Sequence, residues 1–100
     1  MGQNRQQVRE DLHLLSMALL SLKTLDEYER FLNDILTFPE IEKLIQRLQI
    51  AMYLSAGKTF KEISQELGAS SVTIGRVKQA LFYGEDGYKI VVEKLKGLPE

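Results

Sequence analysis

No cysteine occurs in this chain of 100 residues, and His13 is its single histidine. The first absence excludes a disulfide framework and a thiolate metal site, and the second excludes a histidine-based zinc cluster. His13 itself reads as an ordinary helix-surface residue. Only two prolines are present, and with abundant Leu, Ile, Lys and Glu this favours an all-α fold. There is no run of about 20 uncharged apolar residues, so no membrane-spanning helix is expected. The opening stretch "MGQNRQQVREDLHLLSMALLSL" has a basic-then-apolar outline, yet Glu10, Asp11 and His13 precede the apolar run. A secretory signal normally lacks them, and a cytoplasmic location is expected. With no clustered His or Cys and no glycine-rich phosphate loop, neither an enzyme nor a cofactor is expected.

What is present is ordinary for a globular protein: 44% apolar and 27% charged residues. The length fits one domain, 1–100, with a modest core that a partner chain could complete. Net charge is -1, so the whole molecule is no magnet for phosphate, but the charge is unevenly spread. Residues 26–42 hold six acids against Arg30, a balance of -5. Residues 43–79 hold six bases against Glu62 and Glu66, a balance of +4. Either this is chance unevenness, or a basic face is built around 58–79 and set apart from an acidic side.

Helical signals divide the chain into N-terminal helices over 6–55, a helix pair over 59–82 and a last helix over 87–97. The first helix is expected from Gln6 to Lys23. Between Leu12 and Leu22 only His13, Ser16 and Ser21 are not apolar, too much for a simple surface helix. A second copy of the chain would cover the surplus, so a homodimer is expected; the alternative is a central helix in a monomeric bundle. Thr24 or Asp26 caps the next helix, "DEYERFLNDIL". Thr37, Pro39 and Glu40 give a strong start to the third, whose period is carried by Ile41, Leu44, Ile45, Leu48, Met52 and Tyr53. Gly57 ends it. The last helix shows Ile90, Val91, Lys94 and Leu95 at helical spacing.

The stretch "FKEISQELGASSVTIGRVKQAL" fits a helix-turn-helix: helices over 60–67 and from Ser70 or Ser71 to about Phe82. Gly68 supplies a turn residue that tolerates positive φ. Ile63 and Leu67 are expected to meet Ile74 and Val77 and lock the interhelical angle. Ser70 is a good N-cap. The outward positions are then Ser71, Val72, Gly75, Arg76 and Gln79, small or polar, as a helix entering a major groove requires. Backbone N–H groups at Ser71 and Val72 point toward phosphate. Ser71, Val72 and Thr73 lie near base edges, where methyl groups can touch thymine methyls. Gly75 keeps the surface low. Arg76, Lys78 and Lys61 are expected to bind phosphates and set register, and Gln79 to do either. The same pattern also occurs in helix pairs that bind no nucleic acid.

The run over 36–81 resembles the Trp repressor superfamily, and more narrowly its Trp-repressor-related (YerC/YecD-type) branch. The resemblance is carried by the leading "LT", Arg47, the "ELGA" turn at 66–69 and "T-I-x-R" at 73–76. The turn before the helix-turn-helix is one residue shorter than in the Trp repressor itself. The resemblance implies an all-helical, intertwined homodimer with two reading heads on a pseudo-palindromic operator, its half-sites about 34 Å apart. It also implies an effector pocket: two arginines that sandwich tryptophan match Arg47 and Arg76, and a threonine beside the pocket matches Thr37. The next positions depart from the pattern. The glycine that leaves room for the indole is Val77 here, and a serine that helps bind the amino group is Ala80. Val77 adds volume where the ligand would lie, and Ala80 lacks the hydroxyl.

These features together predict a homodimeric transcriptional regulator, read as a repressor, that binds double-stranded DNA without tryptophan. Either a different small effector acts at the altered pocket, or the head holds its angle with no ligand. The reading from another class is a helical protein–protein interaction module without DNA binding.

Overall fold

The computed structural model describes residues 4–97. Six helices follow in order: α1 (Arg5–Leu20), α2 (Leu25–Ile35), α3 (Phe38–Ser55), α4 (Phe60–Leu67), α5 (Ser71–Tyr83) and α6 (Gly87–Lys96). No strand occurs among the described residues, as the composition predicts. The ends of the expected 1–100 unit, residues 1–3 and 98–100, lie outside the described residues. The chain groups into two compact units, residues 1–38 and 39–100. The break falls at the start of α3, so α3 shares a unit with the helix-turn-helix and is not grouped with the N-terminal helices.

In the first unit, Asn4 caps α1 by accepting the Gln7 N–H at 2.8 Å. The helix stops at Leu20, three residues short of the expected Lys23. The reason lies in the next helix. Thr24 adopts an extended backbone to cap α2, accepting the Glu27 N–H, while the Glu27 carboxylate accepts N–H groups from Thr24 and, at 2.7 Å, from Lys23. This capping box takes the Lys23 donor that a longer α1 would need. Neither α1 nor α2 has a buried residue. Leu14 is 72% exposed and Leu20 82%, so the over-apolar character of α1 is an uncovered surface in the single chain.

The second unit carries the core. Ile50 and Ala51 of α3, Ile63 of α4, Ala69 of the turn, Ile74 and Val77 of α5 and Val92 of α6 form one buried cluster. Tyr53, Leu54, Leu67 and Tyr88 pack around it. The face of α3 used here agrees only in part with the one the period singled out: Tyr53 packs on the cluster and Ile41 and Leu48 are half-buried, but Leu44, Ile45 and Met52 are exposed. On α6 the inward face is Tyr88, Val92 and Leu95, while Ile90 and Val91 are exposed. Both helices carry two apolar stripes, and only packing decides which one the unit buries.

Local signals place α4 and α5 on this core. Gly57 has φ +85 and closes α3 with paired bonds, its own N–H to the Leu54 carbonyl and the Lys58 N–H to the Tyr53 carbonyl, each 3.0 Å. Thr59 and Glu62 form a second capping box at the start of α4. Gly68 ends α4 at φ +67, as predicted for the turn. Gln46 of α3 donates to the Leu67 carbonyl at 3.3 Å, satisfying a group the helix end leaves open. Ser70 caps α5, accepting the Thr73 N–H at 3.2 Å.

The Glu62 carboxyl is held below its ordinary range, first by the Thr59 backbone N–H, then by the Thr59 hydroxyl and the nearby Lys58 charge. A lowered folded value means this contribution to stability is full above the unfolded pKa and is lost as pH falls through the folded one. Glu62→Gln is therefore expected to flatten part of the acid limb of a stability–pH profile measured by chemical unfolding. An unchanged acid limb would contradict this. Ile74 is fully buried at the centre of the cluster, so Ile74→Ala is expected to cost about 2–5 kcal/mol in urea unfolding. A loss below about 1 kcal/mol would show that the core is centred elsewhere.

Candidate nucleic-acid interface

Helix α5 has two faces set by the 100° turn per residue. Ile74, Val77 and Leu81 point inward and are buried. Val72, Gly75, Arg76 and Gln79 share the opposite face. Of these Val72, Arg76 and Gln79 are exposed and Gly75 is half-buried. The expected lock is present: Ile63, Ile74 and Val77 share the buried cluster, with Leu67 packed against it. The lock is what turns the other face of α5 outward.

Each predicted contact residue has a definite setting. Ser71 is exposed on the first turn of α5. Ser70 and Thr73 are engaged with each other: the Ser70 Oγ accepts the Thr73 N–H and lies 3.1 Å from the Thr73 Oγ1. Thr73 is half-buried, so its hydroxyl serves the cap rather than facing outward. Lys78 is exposed and its Nζ lies 5.4 Å from the centre of the Phe60 ring, which holds it beside the start of α4. Lys61 is exposed on the same helix. Lys58 is committed elsewhere, to Glu66 at 3.3 Å and the Tyr53 ring at 5.2 Å. Arg76 on the outward face of α5 and Lys61 on α4 are thus exposed cations without an ion pair among the described residues.

Behind that face lies a cleft of about 220 Å³ lined by Arg47, Thr73, Arg76, Val77 and Tyr88. The structure therefore brings together Arg47, Arg76 and Val77 of the expected pocket. It does not bring Ala80 to it. Ala80 lines a separate, more apolar groove of about 480 Å³ with Leu48, Glu85, Gly87, Tyr88 and Val91. Thr37 belongs to the other compact unit. Val77 is 3% exposed, a core residue that also forms a wall of the cleft. Tyr88 borders both cavities and was not singled out from the sequence. Its signal was the i, i+4 pairing with Val92 across the first turn of α6. Among the described residues no group of three or more His, Cys, Asp or Glu could hold a metal ion.

Comparison with known proteins agrees with this architecture. The model of the family described as Trp repressor protein matches residues 10–96. The protein YerC of Bacillus subtilis (strain 168) is 44% identical over 87 residues, 87% of this chain and 84% of its own. A crystal structure of a TrpR-like protein from Eubacterium eligens ATCC 27750 superposes with a TM-score of 0.83 at 40% identity, over 97% of this chain and 100% of that one. A Staphylococcus aureus chain described as a candidate Trp repressor gives a TM-score of 0.80 at 37% identity, over 91% of each chain. The helix-turn-helix with its outward cations, the buried lock behind it and these matches converge: the chain belongs to the Trp repressor family of DNA-binding regulators.

Proposed function

We propose that the protein is a sequence-specific transcriptional regulator, acting as a repressor, that binds a pseudo-palindromic operator as a homodimer and does so without tryptophan. The observation that carries this reading is the outward face of α5: accessible at Val72, Arg76 and Gln79, with Arg76 unpaired on it, and backed by the buried lock of Ile63, Ile74 and Val77. Arg76, Lys61 and Lys78 bind backbone phosphates and set register, while the first turn of α5 approaches base edges. The exposed apolar side chains of α1 support the homodimer, since an uncovered stripe of this kind needs a second surface. No helix among the described residues is long and apolar enough to cross a membrane, and a cytoplasmic location goes with this reading.

Three features speak against tryptophan as effector. Val77 is part of the core, so its side chain cannot move aside without opening the lock. The cleft of about 220 Å³ is smaller than the roughly 300–1,000 Å³ of typical ligand pockets. Ala80 offers no hydroxyl and faces the other groove. A smaller effector at Arg47 and Arg76 is compatible with the cleft, as is a head whose angle is fixed by packing alone.

Arg76→Ala is expected to weaken binding to all duplexes alike and to reduce the slope of log affinity against log salt by about 1. Fluorescence anisotropy across a salt series measures both, and the wild-type curve is expected to be the same with and without tryptophan. No duplex binding even at low salt would overturn the proposal and favour a protein-interaction module. In sedimentation, the wild-type chain is expected to run as a dimer and the double variant Leu14→Glu, Leu20→Glu as a monomer. A wild-type monomer at micromolar concentration would contradict the dimeric reading.

A further inference from the structure

Gly75 is an expensive residue for its place. It sits inside α5, where glycine costs about 0.5–1 kcal/mol relative to alanine. Nothing within the chain demands it. Its φ is not in the positive region, and a Cβ built there meets no atom within 4 Å. An alanine would therefore strengthen the helix without disturbing its neighbours. The missing methyl leaves the backbone of α5 open to close approach from outside the chain at this point.

Val72 stands one turn earlier on the same face, 62% exposed. A single exposed valine is by itself ordinary. Its setting is not. Ser70 and Thr73 on either side are tied to each other in the cap, so the first turn of α5 offers outward only the Ser71 hydroxyl and the two Val72 methyls. Among the major-groove edges of the four bases, only thymine presents an apolar group, its C5-methyl. The cavity-free surface at Gly75 lets the helix sink far enough for a short, branched side chain such as valine to reach it.

We infer that Val72 reads a thymine methyl in each half-site, and that Gly75 is the close-approach position that brings Val72 to it. This rests on the proposed DNA-binding function and specifies one feature of the operator. Recognition at that position is apolar, so it depends on the methyl and not on hydrogen bonding.

The test uses a duplex recovered from a random library with the full-length protein, in which each thymine is replaced in turn by uracil. That change removes the methyl and leaves base pairing intact. Wild-type protein is expected to lose about fourfold in affinity at one thymine per half-site, the equivalent of about 0.8 kcal/mol for one buried methyl group. Val72→Ala is expected to bind thymine and uracil duplexes equally at that site. Gly75→Ala is expected to raise the urea midpoint while losing on the order of tenfold in affinity, the effect of overpacking an interface by one methyl. Retained duplex binding with no sensitivity to any thymine-to-uracil change overturns the inference alone. So does a Val72→Ala variant that keeps the wild-type ratio, or a Gly75→Ala variant of undiminished affinity. Failure to recover or bind any duplex overturns the underlying function as well.

Discussion

The packing of Ile63 against Ile74 and Val77, across a turn that Gly68 makes possible, is the constraint on which the molecule depends. Two short helices, of eight and thirteen residues, are too short to hold themselves in water. Their stability comes from this shared buried cluster and from the end of α3 that supplies Ile50 and Ala51. The same contacts fix the angle between α4 and α5, and with it the direction in which Val72, Arg76 and Gln79 face. The outward face of α5 is therefore positioned by what lies behind it.

Val77 belongs at once to the core and to the cleft. Its methyls close the lock and at the same time occupy a wall of the cleft between Arg47 and Arg76. A smaller residue would open room for a ligand and loosen the core in one step. Tyr88 adds a second support from α6, packing on the cluster and bordering the cleft from the other side. Helix α5 packs on both α4 and α6. Helix α5 is therefore held from two sides by packing within its own unit.

The helix-turn-helix was legible in the sequence because its signals are local. A glycine at the turn, a serine cap and four apolar positions at fixed spacing each act within a few residues. The limits of α4 were read correctly for that reason. What was not legible were choices made by distant partners. On α3 the period pointed to Tyr53, which packs on the core, but also to Leu44, Ile45 and Met52, which stay exposed while the unit buries Ile50 and Ala51. On α6 it pointed to Ile90, Val91 and Leu95, but of these only Leu95 turns inward, beside Val92 and Tyr88. An amphipathic period reports that a stripe exists, not which of two stripes a neighbour covers. The early end of α1 was hidden differently: the α2 capping box claims the Lys23 N–H, a competition between two helix ends that neither pattern shows alone. Of the candidate pocket, Arg47, Arg76 and Val77 came together as the resemblance implied. Ala80 faces another groove, since it lies one turn beyond the cleft on α5 and meets α6 instead.

If packing alone sets the angle of this head, the protein selects the same duplex whether or not tryptophan is present. Selection of bound duplexes from a random library, run in parallel with and without tryptophan, is expected to enrich one dyad-symmetric sequence in both runs, with half-site centres about 34 Å apart. No enriched sequence, or enrichment only when tryptophan is present, would contradict this.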